Sequence, residues 1–206
     1  MSKIKPTHAK FSNGIPYAKF GCGKKTMLVF QGGPGNEIQK GFGFRMFASP
    51  FKPFMNDFTI YFVTRKSNLP ENYNTKDMSD DYADMIREHF KGKVDVIIGM
   101  SFGGFIIQHF AADYPKMSDY FIVAMASYKA TKEGGELDMK YAQYNSQGKS
   151  GKALALFSKV MFTKRFFQWF FRPLFFLFGA MMKPPESKTF SQDILIEGQA
   201  LMNHNS

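Results

Sequence analysis

Four stretches of the chain are apolar with little or no alternation: TMLVF at 26–30, FTIYFV at 58–63, VDVII at 94–98 and YFIVAM at 120–125. Runs of this length, rich in β-branched and aromatic residues, predict strands covered on both faces, as in a parallel sheet. Between the second and third runs the period changes. Met78, Tyr82, Met85, Ile86 and Phe90 share one face at 3.6-residue spacing, which predicts an amphipathic helix over 77–90 capped by Asp77. A second helix is expected over 104–114, stopped by Pro115. At the start, 9–12 and 15–20 flank Asn13-Gly14, predicting a hairpin with a type I′ turn and with Pro16 in an edge position. Strands alternating with helices place the chain in the α/β class, a mostly parallel sheet flanked by helices on both faces.

The pattern changes after Ser127. Gly134-Gly135 and 148–151 read as loops, and three helical pieces follow, over 152–162, 164–171 and 173–182. Pro173 suits a first helical position, and Pro184-Pro185 would end the last piece. The tail over 191–202 reads as one more helix. No strand interrupts this region, which therefore forms a helical insertion over the C-terminal edge of the sheet. No internal repeat or low-complexity tract is present.

At 206 residues the chain suits one domain or a domain with an insertion, with 44 % hydrophobic and 21 % charged residues, ordinary globular values. Its single cysteine, Cys22, excludes an internal disulfide and fits a reducing compartment, so a cytoplasmic location is expected. The N-terminal residues show no apolar signal segment. The net charge of +10 is concentrated: 129–188 holds eleven Lys/Arg against four Asp/Glu. No nucleic-acid-binding motif accompanies this excess, so nucleic acid is discounted as a partner. Within 166–182, nine Phe/Leu residues contribute roughly −3 to −5 kcal/mol toward membrane insertion and Arg172 roughly +3 kcal/mol, a sum near zero. The run is also short for a span, so it reads as an interfacial or lid helix, with peripheral membrane contact through the basic Phe-rich segment as an expected interaction.

Two motifs carry chemistry. Gly99-Met100-Ser101-Phe102-Gly103 lies where a buried strand turns into a helix. That turn lifts the Ser101 hydroxyl out at the C-terminal edge of the sheet, and small residues let the turn pass. The following helix points its positive end at Ser101. Upstream, Gln31-Gly32-Gly33-Pro34-Gly35 follows another apolar strand. Acyl transfer requires N–H donors aimed at a developing oxyanion, and the backbone N–H groups of Gly33 and Phe102 are the expected donors.

On these two motifs the chain resembles the α/β-hydrolase superfamily, and 31–35 looks like the His-Gly-Gly-Pro-Gly motif of the proline iminopeptidase-like branch, with Gln31 where that branch usually has His. The resemblance covers about 9–127. It implies a core over 1–128 with six strands, a helical cap or lid over 129–190, and a helix over 191–206 returning to a core whose last strands are missing. It also implies Ser101 as nucleophile of a serine hydrolase, with an acid and a histidine following in chain order. Asp193 and His204 have that order but lie without an intervening strand, and His8, His89 and His109 read as ordinary surface or core residues. The activating pair is therefore expected beyond the chain's last residue. The expected substrate is a small-molecule ester or amide, hydrophobic for preference. An aminopeptidase using Glu133, Glu136 or Asp138 to hold a free amine, and a non-catalytic fold binding a membrane or partner, are the alternatives. No metal site or cofactor is expected, since the four His and one Cys show no ligand spacing. Oligomeric state is open.

Overall fold

The computed structural model describes residues 4–33 and 35–205; Met1, Ser2, Lys3, Ser206 and Pro34 of the 31–35 motif lie outside the described residues. Six strands form one sheet: β1 (Thr7–Lys10), β2 (Pro16–Phe20), β3 (Lys25–Phe30), β4 (Phe58–Val63), β5 (Val94–Met100) and β6 (Ser118–Ala124), in the order β1-β2-β4-β3-β5-β6. Strands β4, β3, β5 and β6 run parallel, while the β1/β2 and β2/β4 pairs are antiparallel. The continuous apolar runs are these parallel strands.

Side chains along each strand divide between the two faces. Leu28, Phe30, Val63 and Ile97 pack beneath α2 (Thr75–His89) and α3 (Phe102–Asp113). Met27, Val29, Ile60, Phe62 and Val96 pack on the other face, against Phe44 and Ala48 of α1 (Gly41–Ala48) and Phe51 of a following 3₁₀ segment. Helices therefore cover both faces, as the alternation predicts.

Several local expectations are corrected. Phe11 N donates to Ile15 O and Gly14 N to Phe11 O, so Ser12, Asn13 and Gly14 form a three-residue loop in which Gly14 alone has positive φ, at 86°. This is a turn closed by a left-handed glycine, not a two-residue type I′ turn. Pro16 is not on an edge strand; it opens β2, where β1 and β4 flank the strand, and its lost N–H falls at the strand's first position. Helix α2 begins two residues before Asp77. Asn74 is its N-cap and accepts from the N–H of Asp77, while the Asp77 carboxylate accepts from the N–H of Asn74. Helix α3 starts at Phe102 rather than Gly104.

The region after β6 departs most. Gly134 and Gly135 lie in the first turn of a full helix, α4 (Lys132–Ser146), capped by the Thr131 hydroxyl accepting from Gly134 N–H. Two shorter helices, α5 (Ser150–Ala155) and α6 (Phe157–Met161), replace the single piece expected over 152–162. One helix, α7 (Arg165–Ala180), runs through Pro173 rather than restarting there. The tail is α8 (Phe190–Met202), which packs on α4. The two helices approach through glycine: a Cβ on Gly135 would lie 3.1 Å from Met202 Cγ, and one on Gly198 3.2 Å from Ala142 Cβ.

Strand β6 is bonded to β5 along one side, and Asn205 bridges to Lys129 just beyond it. Tyr120 and Ile122 on one face and Val123 on the other are 68 %, 46 % and 46 % exposed. A parallel strand of this composition is normally covered on both faces, so β6 presents an open, apolar edge.

Candidate active site

Ser101 sits between β5 and α3 with φ 50° and ψ −115°. A non-glycine residue at positive φ outside the left-handed well costs of order 1–3 kcal/mol and is held by its surroundings. Those surroundings are visible. Ser101 N–H donates to Ala124 O at 2.9 Å and Ser101 O accepts from Gly104 N at 2.7 Å. A Cβ on Gly99 would lie 2.4 Å from Gly103 O, and one on Gly103 would lie 2.1 Å from Phe30 O. The small residues flanking the serine are therefore obligatory for the turn. The Ser101 side chain is exposed, at the N-terminus of α3, where free N–H groups and the helix dipole favour negative charge.

The 31–35 loop leaves β3 directly beside this turn. Gly32, rather than Gly33, makes the close approach: a Cβ there would lie 2.8 Å from Ser101 Cβ and 2.9 Å from Met100 O. Gly33 has φ 74° with open space where a Cβ would stand. Phe102 opens α3, and its ring is buried beneath the Arg65 guanidinium, 4.8 Å from the ring centroid.

Arg65, just after β4, ties these parts together. Its guanidinium donates to the carbonyls of Gln31 at 3.0 Å and Gly35 at 2.7 Å, and also to that of Gly33. Glu197 on α8 pairs with it at 3.0 Å, both side chains being buried, and accepts from Gly35 N–H with the same carboxylate. Burial disfavours the Arg65 charge, but Glu197, with Tyr82 adding to it, offsets this and the Arg65 pKa lies above the ordinary value. The neighbouring Tyr82 hydroxyl is pushed up by burial. One turn earlier on α8, the buried Asp193 accepts from Leu69 N at 2.8 Å, Asn68 N at 3.1 Å, Asn36 Nδ2 at 2.6 Å and Thr189 Oγ1 at 2.6 Å. Helix α8 thus fixes the loops after β3 and β4 through two buried carboxylates. Neither Arg65 nor Glu197 stood out from the sequence. The available signals were a cation directly after an apolar strand and a lone carboxylate inside the run ILIEG over 194–198.

No family model matches the sequence, and no curated protein does. Solved structures match over nearly its whole length. A hydrolase from Pseudomonas aeruginosa PA01 superposes with a TM-score of 0.65 at 14 % identity, over 97 % of this chain and 73 % of that one. MGS-M2, an α/β-hydrolase enzyme from a Medee basin deep-sea metagenome library, gives 0.63 at 14 % identity over 93 % and 70 %. An esterase from Exiguobacterium antarcticum gives 0.61 at 14 % identity over 98 % and 75 %. The chain has the α/β-hydrolase fold.

Within this α/β-hydrolase fold, Ser101 and the 31–35 loop stand together at the C-terminal ends of β5 and β3, while the histidines do not join them. His89 Nε2 is 2.8 Å from Ser12 Oγ, beside the hairpin loop, and the His8 ring packs on Phe44. His204 is buried, with Nδ1 2.8 Å from Thr75 Oγ1 and its ring against Phe105 and His109. Burial, then the neighbouring His109, lowers its pKa to about 4. Asp193 is consumed by the hydrogen bonds above. Among the described residues, no histidine or carboxylate is hydrogen-bonded to the Ser101 hydroxyl. Of the acids considered for amine binding, Glu133 and Glu136 are exposed, and Asp138 is half-buried with its pKa raised to about 6 by desolvation.

Proposed function

We propose that this chain is a serine hydrolase that cleaves an ester or amide through an acyl-enzyme on Ser101. The observation carrying the reading is the strained, exposed Ser101 with Gly32 wedged against its Cβ. Ser101 Oγ attacks the substrate carbonyl carbon, and its proton passes to a base. The carbonyl oxygen, now an oxyanion, takes hydrogen bonds from the N–H groups of Phe102 and Gly33. Collapse of the tetrahedral intermediate expels the protonated leaving group and leaves the acyl group on Ser101, which water then removes. Serine is a weak nucleophile unaided, so the reading assigns its base and orienting acid to structure that adds at the open edge of β6, outside residues 4–205. A hydrophobic acyl group is the substrate preferred on the Phe-rich composition of the chain. The solved neighbours described as esterases and hydrolases support the reading at the level of fold.

The second reading is a fold that no longer catalyses, favoured by the absence of a base on Ser101 among the described residues. Hydrolysis of p-nitrophenyl esters of graded acyl length, set beside a proline anilide, separates the readings. Ester cleavage that Ser101→Ala abolishes supports the enzyme; no turnover of either substrate by the natural gene product supports the non-catalytic fold.

A further inference from the structure

Helix α7 is packed by a narrow strip. Gln168, Phe171, Phe175 and Gly179 are half-buried or buried, and Gly179 lets α5 approach so closely that a Cβ would lie 2.5 Å from Ser150 O. The opposite face is bare. Phe166, Phe170, Leu174, Leu177 and Met181 repeat at helical spacing and are each 58–76 % exposed, and Trp169 beside them is 74 % exposed. An apolar surface this continuous is unusual on a free soluble protein and marks an interaction site.

The charges around it indicate the occupant. Residues 157–185 contain Lys159, Lys164, Arg165, Arg172 and Lys183 and no Asp or Glu. Arg165 and Arg172, two turns apart, lie along one flank of the bare face. Arg172 also lines an open cleft of about 510 Å³ with Lys152, Tyr144 and Trp169. Exposed aromatic residues bordered only by cations are the composition of a helix lying in the boundary of an anionic bilayer. No helix among the described residues is long and apolar enough to cross a membrane. The 16 residues of α7 reach about 24 Å, which suits lying in the interface.

We propose that α7 docks this protein on an anionic lipid surface, its Phe166–Phe170–Leu177 face entering the acyl boundary and the Arg172–Lys152 cleft receiving acidic headgroups. This docking is independent of any chemistry at Ser101. Trp169, the chain's one tryptophan, reports on it directly.

The 206-residue chain is titrated with phosphatidylcholine vesicles containing phosphatidylglycerol, and with pure phosphatidylcholine vesicles, while Trp169 fluorescence and co-sedimentation are followed. The expected result is a blue shift, quenching by lipids brominated near the headgroup, and co-sedimentation with the anionic vesicles only, weakened by salt. Arg165→Glu with Arg172→Glu weakens binding by roughly 30-fold or more, since each cation near an anionic surface contributes about one factor of five. Phe166→Asp with Phe170→Asp and Leu177→Asp, all at exposed positions, abolishes binding with the circular dichroism spectrum retained. Failure to bind anionic vesicles overturns the proposal, as does equal binding to neutral vesicles. A stable dimer in sedimentation equilibrium that the triple Asp variant dissolves also overturns it, because a second copy would then be the occupant.

Discussion

Arg65 and Glu197 meet at 3.0 Å in full burial, 132 residues apart in sequence, and through this pair the tail helix holds the loop beside Ser101. A buried charge left without its partner is far more costly than the pair is stabilising. Glu197→Ala is therefore expected to lose about 3–5 kcal/mol of stability in urea unfolding. Arg65→Met with Glu197→Leu removes both charges and is expected to recover much of that loss. The double variant still lacks the donors that hold the carbonyls of Gln31, Gly33 and Gly35, so its Ser101 reactivity toward a fluorophosphonate stays low even where stability recovers.

Gly32 and Gly33 make opposite predictions from neighbouring positions. Gly32→Ala drives a methyl group to 2.8 Å from Ser101 Cβ and must displace the turn. It is expected to cost about 1–3 kcal/mol of stability and to abolish labelling of Ser101. Gly33→Ala meets no atom, and its cost comes from φ 74° alone, roughly 1–2 kcal/mol. Its labelling rate should fall far less. Equal loss in both variants would contradict the assigned contact.

Two groups set opposing pH dependences. Folded His204 is held at about 4, below its ordinary 6.5, so the unfolded chain takes up the proton first. That contribution to stability is complete above 6.5 and lost as pH falls toward 4. Folded Asp138 is held at about 6, above its ordinary 3.8, so its contribution is complete below 3.8 and lost as pH rises through 6. Between these limits the two partly cancel. In urea unfolding, Asp138→Asn should steepen the loss of stability on acidification from about pH 7 to about pH 4.5, and His204→Asn should reduce it.

The sheet was legible because β3, β4 and β5 are largely buried on both faces and so carry apolar runs with few polar interruptions, such as Asp95. The tight turn that carries Ser101 was legible because it restricts positions 99 and 103 to glycine, a constraint written locally. What was not legible depends on distant contacts. Gly134-Gly135 reads as a loop until Met202 is seen packing against Gly135, and Pro173 reads as a helix start until α5 and α6 are seen packing against α7. The hairpin loop gained a residue because Phe11 pairs with Ile15, fixing a register in which Asn13 need not take positive φ. Arg65 and Glu197 are ordinary residues until the fold buries them together.

Ser101 is the proposed nucleophile. The most direct test of that role is fluorophosphonate labelling of the natural gene product in extract of the cells that make it, followed by peptide mass mapping. One phosphonyl adduct is expected, on Ser101, absent in Ser101→Ala. Failure of the natural protein to label, or labelling that persists unchanged in Ser101→Ala, would contradict it.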